Sequence, residues 1–124
     1  HAANSLISEL QNSSQQLNQH EADGIFEIIS NQSIEVLKKM ADELINKNNN
    51  AMVILASSVN NKGHIVVKIG PNILRHYKAP ILIKELTAIT GGGGGGKDHM
   101  AKAGGCNESN LNEGIDFMRS KYLK

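Results

Sequence analysis

The segment from Gly91 to Gly105, GGGGGGKDHMAKAGG, holds eight of the twelve glycines of this chain. Because glycine has no Cβ, such a run adopts positive φ freely and lets the backbone approach another molecule closely, yet it weakens regular helices and strands. The segment is therefore either a flexible linker or a loop that contacts a ligand through its backbone. A chain of 124 residues has room for one small domain around it.

Charge is distributed unevenly along the chain. Residues 1–61 carry three basic and seven acidic side chains, whereas residues 62–124 carry ten basic and five acidic ones. The net charge of +1 thus conceals a basic half that contains the glycine segment, which favours a phosphate-bearing partner. A solvated surface without a ligand remains the alternative. Two Phe, two Tyr and no Trp are too few for a protein that stacks single-stranded bases on aromatic rings.

The rest of the composition bears on cellular location. A single cysteine excludes an internal disulfide, and no apolar run approaches the roughly 20 residues that span a bilayer. The sequence shows no signal peptide and does not begin with Met. We interpret it as a piece of a larger cytoplasmic protein that has no contact with membranes.

Hydrophobic periodicity predicts an α/β (α+β) fold. The predicted elements, in chain order, are a helix over residues 2–19, a strand over 25–29, a helix capped by Asn31 or Ser33, strands over 52–56 and 64–69 joined by a turn at 60–63, a helix from Pro80 to Gly91, a short edge strand over 100–103 and a closing helix. We expect a small mixed sheet of three to five strands covered by helices. Residues 1–22 would form the end of a helical arm, and residues 23–124 would form the domain.

Three catalytic interpretations of the glycine segment are weak. Gly91 to Lys97 fits GxxxxGK, but Asp98 replaces the Ser or Thr that holds Mg²⁺, and the run follows a helix instead of a strand. His99 and Cys106 are two potential metal ligands without the usual close-spaced partners. As a nucleophile and its base, the same pair has no third group to orient it. We expect this chain to bind a ligand without catalysis and without a metal.

Backbone N–H groups that no side chain shields can form a concavity that binds anions. Lys97 and Lys102 flank the glycines, and further basic residues precede them. These features predict an edge that binds a sugar–phosphate backbone. The candidate binding residues are Gly94, Gly95, Gly96, Lys97, Lys102, Gly104, Gly105, Lys68, Arg75 and Lys78.

The glycine segment resembles the GGGxxxxAxAGG signature near the end of alanyl-tRNA synthetases. The match runs from Gly94 to Gly96, then to Ala101, and then from Ala103 to Gly105. The resemblance covers most of residues 24–124 and implies the DHH-associated (DHHA1) α/β domain. Related DHH phosphoesterases carry a shorter GGGHxxAAG, with histidine where Lys97 stands and two residues fewer before the second glycine group. The spacing favours the synthetases, although Lys102 stands where glutamine is expected.

This resemblance implies that the chain binds alanine tRNA at its outer corner, the elbow, and helps the aminoacylation and editing domains act on one tRNA. The fragment would need no cofactor, whereas the parent would use ATP and Mg²⁺, and zinc in its editing domain. One alternative is a domain that chiefly mediates homodimerisation of the same synthetase. Another is the substrate-binding domain of a DHH phosphoesterase.

Overall fold

The computed structural model describes residues 8–19 and 21–124, and a six-stranded mixed sheet lies at their centre. The strands are β1 (Gln15–Gln16), β2 (Asp23–Ile28), β3 (Ala51–Val59), β4 (Lys62–Ile69), β5 (Gly93–Lys97) and β6 (Met100–Asn107). Their order across the sheet is β1-β2-β3-β4-β6-β5. Only β2 and β3 are parallel, because a helix connects them, and the other neighbours are antiparallel.

Three helices follow the predicted segments. They are α1 (Ile34–Lys47), α2 (Ala79–Thr90) and α3 (Leu111–Tyr122), with 3₁₀ turns at Pro71–Ile73 and Glu108–Asn110. The Ser33 hydroxyl caps α1 by accepting a hydrogen bond from the amide of Val36 at 3.3 Å. Pro80 lies in the first turn of α2, and Gly91, at φ 76°, ends that helix. The predicted N-cap of α1 at Ser33 and the predicted start and end signals of α2 are thus confirmed.

The helices bury both faces of the sheet. On one face Leu37 and Leu44 of α1 pack with the alternating side chains of β3 that include Val53. On the other face α2 and α3 pack over the second set, for example through Leu86 and Ile115. Residues 51–56 are completely buried, which confirms the prediction of a central strand covered on both sides.

The β3–β4 hairpin turns at Asn60 and Asn61, whose φ angles are 54° and 67°. Positive φ at both central residues matches the twist of the flanking strands, and asparagine tolerates this conformation well. The predicted hairpin is therefore confirmed.

The sheet is wider than predicted, with six strands where three to five were expected. The glycine run forms β5 instead of a loop, and the short edge strand continues to Asn107 as the inner strand β6. The helix predicted over residues 2–19 is present over 8–12, whereas 15–16 form β1. Residues 2–7 of that predicted helix lie outside the described residues. The predicted domain bounds stay a prediction.

The segment around β1 lies against the end of α3. Leu17 forms an isolated bridge with Leu123, and the amide of Asn18 donates to the carbonyl of Tyr122 at 2.8 Å. The amide of Lys124 donates to the carbonyl of Gln16 at 2.9 Å. These contacts tie the first described strand to the last residues of the chain.

Candidate nucleic-acid interface

The β5–β6 hairpin is fixed to the rest of the fold at its turn. The carbonyl of Asp98 accepts a hydrogen bond from the amide of Ala79 at 2.9 Å, and the carbonyl of His99 accepts one from Ile69 at 2.9 Å. The Lys78 ammonium lies 3.7 Å from the Asp98 carboxylate. The glycine segment is consequently a positioned strand, and the linker interpretation is wrong.

Alternate glycines of β5 are required by close packing. A Cβ at Gly94 would lie 2.6 Å from the Cα of Ala103 and still closer to the carbonyl oxygen of Lys102. A Cβ at Gly96 would lie 2.7 Å from the Cα of Ala101. Any side chain at these two positions would push β5 away from β6, so the fold itself requires glycine there.

The other glycines of the hairpin face open space. A Cβ at Gly93, Gly95 or Gly104 would meet no atom within 4 Å, and none of the three has a positive φ. Within the described part of the chain, neither packing nor backbone conformation requires glycine at these positions. They leave a bare, flat stretch of exposed backbone on the side of the sheet that α1 covers at β3 and β4.

Three lysines share this side of the sheet. Directly paired residues of antiparallel strands point to the same face, and the register pairs Gly95 with Lys102, Lys97 with Met100, and Lys68 with Met100. Lys97 and Lys68 thus flank Met100 on two strands, about 10 Å apart, with Lys102 diagonal to both. We call the surface made by the residues that follow the glycine–lysine face: Gly93, Gly95, Gly104, Lys68, Lys97 and Lys102.

The lysines of this face differ in their surroundings. Lys68 forms an ion pair with Asp42 of α1, and its side chain is only 21% exposed. Lys97 and Lys102 are exposed, and among the described residues neither takes part in an ion pair. Lys97 and Lys102, without ion-pair partners among the described residues, therefore lie beside the exposed glycine backbone, an arrangement that can bind a phosphate chain.

The remaining predicted binding residues lie elsewhere. Arg75 is exposed in the turn before α2, and Lys78, paired with Asp98, lies at the turn of the hairpin. Gly94 and Gly96 are on the opposite face of β5, as their register with Ala103 and Ala101 shows. Gly105, at φ 68°, lies at the bulge where β6 passes His64.

The GxxxxGK segment has the wrong geometry for a nucleotide-binding loop. Lys97 ends strand β5, and β6 begins at Met100, so no helix follows the lysine.

The proposed pair of His99 and Cys106 is also separated. The two residues lie seven positions apart along an extended strand, which is about 23 Å. Cys106 is buried, and this burial raises the pKa of its thiol. Within residues 8–19 and 21–124, no group of three or more His, Cys, Asp or Glu side chains could hold a metal ion.

A cavity of about 340 Å³ lies at the start of α1, where β4 and β6 diverge at the bulge. Its lining residues are Ser33, Ile34, Val59, Lys62, Gly63, His64, Gly104 and Gly105. Only Gly104 and Gly105 were predicted as binding residues. The others come from three separate segments of the chain, so no local pattern in the sequence marks them.

Tyr122 and Glu85 lie away from this surface, where α2 and α3 pack together. The phenol donates a hydrogen bond to the Glu85 carboxylate at 2.6 Å. Burial, the hydrogen bond and the charge of Glu85 all raise the pKa of Tyr122. The same carboxylate also pairs with Lys121. This cluster joins α2 to α3 and so supports the layer beneath the hairpin.

The chain matches the family model of the DHHA1 domain over residues 23–123. It is 39% identical over 88 residues to an alanine–tRNA ligase of Desulfitobacterium hafniense, an alignment that covers 71% of this chain and 10% of the ligase. The chain spans about a tenth of the length of the curated relatives that it matches.

Two solved structures share the fold. The C-Ala domain of alanyl-tRNA synthetase from Aquifex aeolicus superposes with a TM-score of 0.77 at 21% identity, over 86% of this chain and 95% of that one. A DHH-domain member of the s1p family of ribosomal proteins gives a TM-score of 0.55 at 12% identity, over 99% of this chain and 31% of that one. At these identities the likeness concerns the fold alone, and it confirms the predicted α/β class. In the part of the chain that is described, no helix is both long and apolar enough to cross a membrane.

Proposed function

Because the chain belongs to the DHHA1 domain family, we propose that it is the tRNA-binding C-terminal domain of an alanine–tRNA ligase. In this proposal the domain binds the elbow of alanine tRNA and helps the aminoacylation and editing domains of the parent ligase act on one tRNA. Catalysis, together with ATP, Mg²⁺ and the zinc of the editing domain, belongs to other parts of that ligase. The location would be the cytoplasm.

The observation that carries this proposal is the glycine–lysine face. Gly93, Gly95 and Gly104 are glycine for no reason internal to the fold, and they let a bulky polyanion approach the strands closely. Lys97 and Lys102 stand beside them without carboxylate partners among the described residues. A surface of this kind fits a nucleic-acid backbone.

The same surface indicates how RNA would be recognised. Its exposed residues are glycines and lysines, which offer backbone groups and charge but no aromatic ring. Contacts of this kind read the shape and the phosphates of a folded RNA, whereas sequence-specific recognition uses the edges and faces of unstacked bases. We therefore expect the domain to bind the fold of the tRNA elbow more than its sequence.

The test is a titration of alanine tRNA at several salt concentrations. Each lost phosphate contact reduces the slope of log affinity against log salt by about 0.7 to 0.9, so Lys97→Ala/Lys102→Ala should reduce it by about 1.4 to 1.8. The matched control is Lys84→Ala/Lys124→Ala, which removes the same charge from exposed positions on α2 and after α3. Equal slopes for the two double variants would overturn the assignment of this face.

The proposed elbow contact has its own test. A hairpin that carries only the acceptor stem of alanine tRNA lacks the elbow, and it should bind at least tenfold more weakly than the whole tRNA. Equal affinities would place the contact on the acceptor stem.

A second candidate function is homodimerisation, and one observation favours it. Strand β5 lies at the edge of the sheet, and no strand of the described residues pairs with its outer backbone groups. Such an edge pairs readily with a second copy of itself. Sedimentation at tens of micromolar tests this, because a monomer at that concentration contradicts it. The third interpretation, a DHH phosphoesterase domain, predicts divalent-metal-dependent hydrolysis of nucleotides, which an activity assay would detect.

A further inference from the structure

We propose that the cavity at the start of α1 binds one unpaired nucleobase of the RNA that lies on the glycine–lysine face. This inference rests on the proposed RNA-binding function.

The cavity and the face are continuous. Gly104 belongs to both, since it lines the cavity and pairs across the hairpin with Gly93. Lys102 lies two residues earlier on the same side of β6. A sugar–phosphate chain held by Lys102 therefore passes the mouth of the cavity within the reach of one nucleotide.

The walls of the cavity suit a flat ring. Ile34 and Val59 supply half-buried aliphatic surface, and the imidazole of His64 supplies a planar one. Gly63, Gly104 and Gly105 contribute backbone to the lining, and a Cβ at Gly104 would meet no atom within 4 Å. Exposed peptide planes and aliphatic side chains pack against a nucleobase regardless of its identity, because every base has an apolar face.

The polar groups suit the edge of a base. The Nε2 atom of His64 lies 2.5 Å from the carbonyl oxygen of Gln32. A carbonyl only accepts, so Nε2 donates to it, and a ring that carries one proton then has Nδ1 as an acceptor. An amino or imino group of a base is the matching donor. Lys62 adds a positive charge that attracts the phosphate of the bound nucleotide. No carboxylate is among the lining residues of this cavity.

Size and charge distinguish this cavity from the larger one. A volume of about 340 Å³ is at the lower end of the range for ligand cavities, which suits a single base. The cavity of about 490 Å³ beside β2 is lined by Glu9 and Glu27, and these carboxylates repel a polyanion. The cavity of about 340 Å³ combines proximity to Lys102 with a lining free of acidic groups.

The first test uses the wild-type chain and the four free ribonucleosides as probes. Because they carry no phosphate, they report on the cavity alone. Amide chemical shifts of Gly63, Gly104 and Gly105 should change saturably at millimolar concentrations of at least one nucleoside. Lys97→Ala/Lys102→Ala should leave this titration unchanged. Shifts at these amides with inorganic phosphate but with none of the nucleosides would overturn the proposal, as would no shifts at all.

The second test fills the cavity. A Cβ at Gly104 meets no atom, so Gly104→Leu adds a side chain at the mouth without disturbing the fold. Loss of one stacked base should weaken tRNA binding by between about 5-fold and about 100-fold. Because Gly104 also belongs to the glycine–lysine face, the loss of the nucleoside-induced shifts, which involve no phosphate, assigns the effect to the cavity. Ala88→Leu, an exposed position on α2, is the control and should leave the affinity unchanged.

The two proposals fail separately. If the lysine variant changes the salt slope while Gly104→Leu leaves both nucleoside and tRNA binding intact, the face binds RNA and the cavity proposal is overturned. If nucleosides bind in the cavity while tRNA does not bind, the proposed function fails and the cavity binds a nucleoside of another origin. Weaker tRNA binding by Gly104→Leu together with unchanged nucleoside shifts also contradicts the base-binding proposal, because it reports a blocked face and an open cavity.

Discussion

The packing of strand β5 predicts that replacing a glycine by alanine changes the free energy of unfolding in opposite directions at neighbouring positions. At Gly94 a methyl group would lie 2.6 Å from the Cα of Ala103, a distance at which the backbone must shift. At Gly95 a methyl group would meet nothing within 4 Å. Gly94→Ala should therefore destabilise the domain, whereas Gly95→Ala should leave the folded state intact and restrict only the unfolded chain.

The magnitudes follow from these contacts. Overpacking at Gly94 should cost about 1 to 3 kcal/mol of the free energy of unfolding. Gly95→Ala should raise that free energy by about 0.4 to 1 kcal/mol, since the unfolded chain loses conformational freedom. For a domain of this size 1 kcal/mol shifts Tm by about 4 °C. Gly94→Ala should thus melt about 4 to 12 °C lower than the wild type, and Gly95→Ala up to about 4 °C higher.

The assay is thermal unfolding followed by circular dichroism, combined with amide hydrogen exchange of β6. Exchange is needed because an edge strand can detach locally, in which case Gly94→Ala speeds exchange at Lys102 and Gly104, whose backbone groups face β5, with a smaller change in Tm. Gly96→Ala should behave like Gly94→Ala. Equal shifts of Tm and equal exchange for Gly94→Ala and Gly95→Ala would refute the alternating packing of the hairpin.

Three further predictions concern the layers around the sheet. Leu37→Ala should lower the free energy of unfolding by about 2 to 5 kcal/mol in urea titrations, because the Leu37 side chain is completely buried between α1 and the sheet. Ser33→Ala should lower it by about 1 kcal/mol through loss of the N-cap, with the m-value unchanged. Burial raises the pKa of Cys106 and Tyr122 above 9.0 and 10.0, so the unfolded chain releases these protons first. Urea titrations should therefore show full stability below about pH 9 and a decline as pH rises beyond it, and a flat profile to pH 11 would contradict this.

Periodicity in the sequence was sufficient for the elements whose stability comes from burial. The spacing of Leu37, Ala41 and Leu44 predicts α1, and the two asparagines predict the hairpin between β3 and β4. These sequence patterns are local, since a short stretch of neighbouring residues determines both the apolar face of the helix and the conformation of the turn.

Strand β5 could not be predicted in the same way. Six glycines carry no periodicity and a poor strand propensity, so the residues themselves indicate a loop. What makes them a strand is pairing with β6 and the hydrogen bonds of the turn to Ile69 and Ala79, which are distant in sequence. The sequence did identify the lysines beside the glycines, but which of them share a face depends on the register.

The bridge between Leu17 and Leu123 has a consequence for how the domain folds. The neighbouring contact between Asn18 and Lys121 joins residues 103 positions apart, so it forms only after a very long loop closes. The β3–β4 hairpin, with its two-residue turn, closes a far shorter loop and can serve as the nucleus. These loop lengths predict that assembly runs outward from the middle of the sheet and that the seam between β1 and the end of α3 forms last. Under native conditions that seam should also open first, well before the β5–β6 hairpin that carries Lys97 and Lys102.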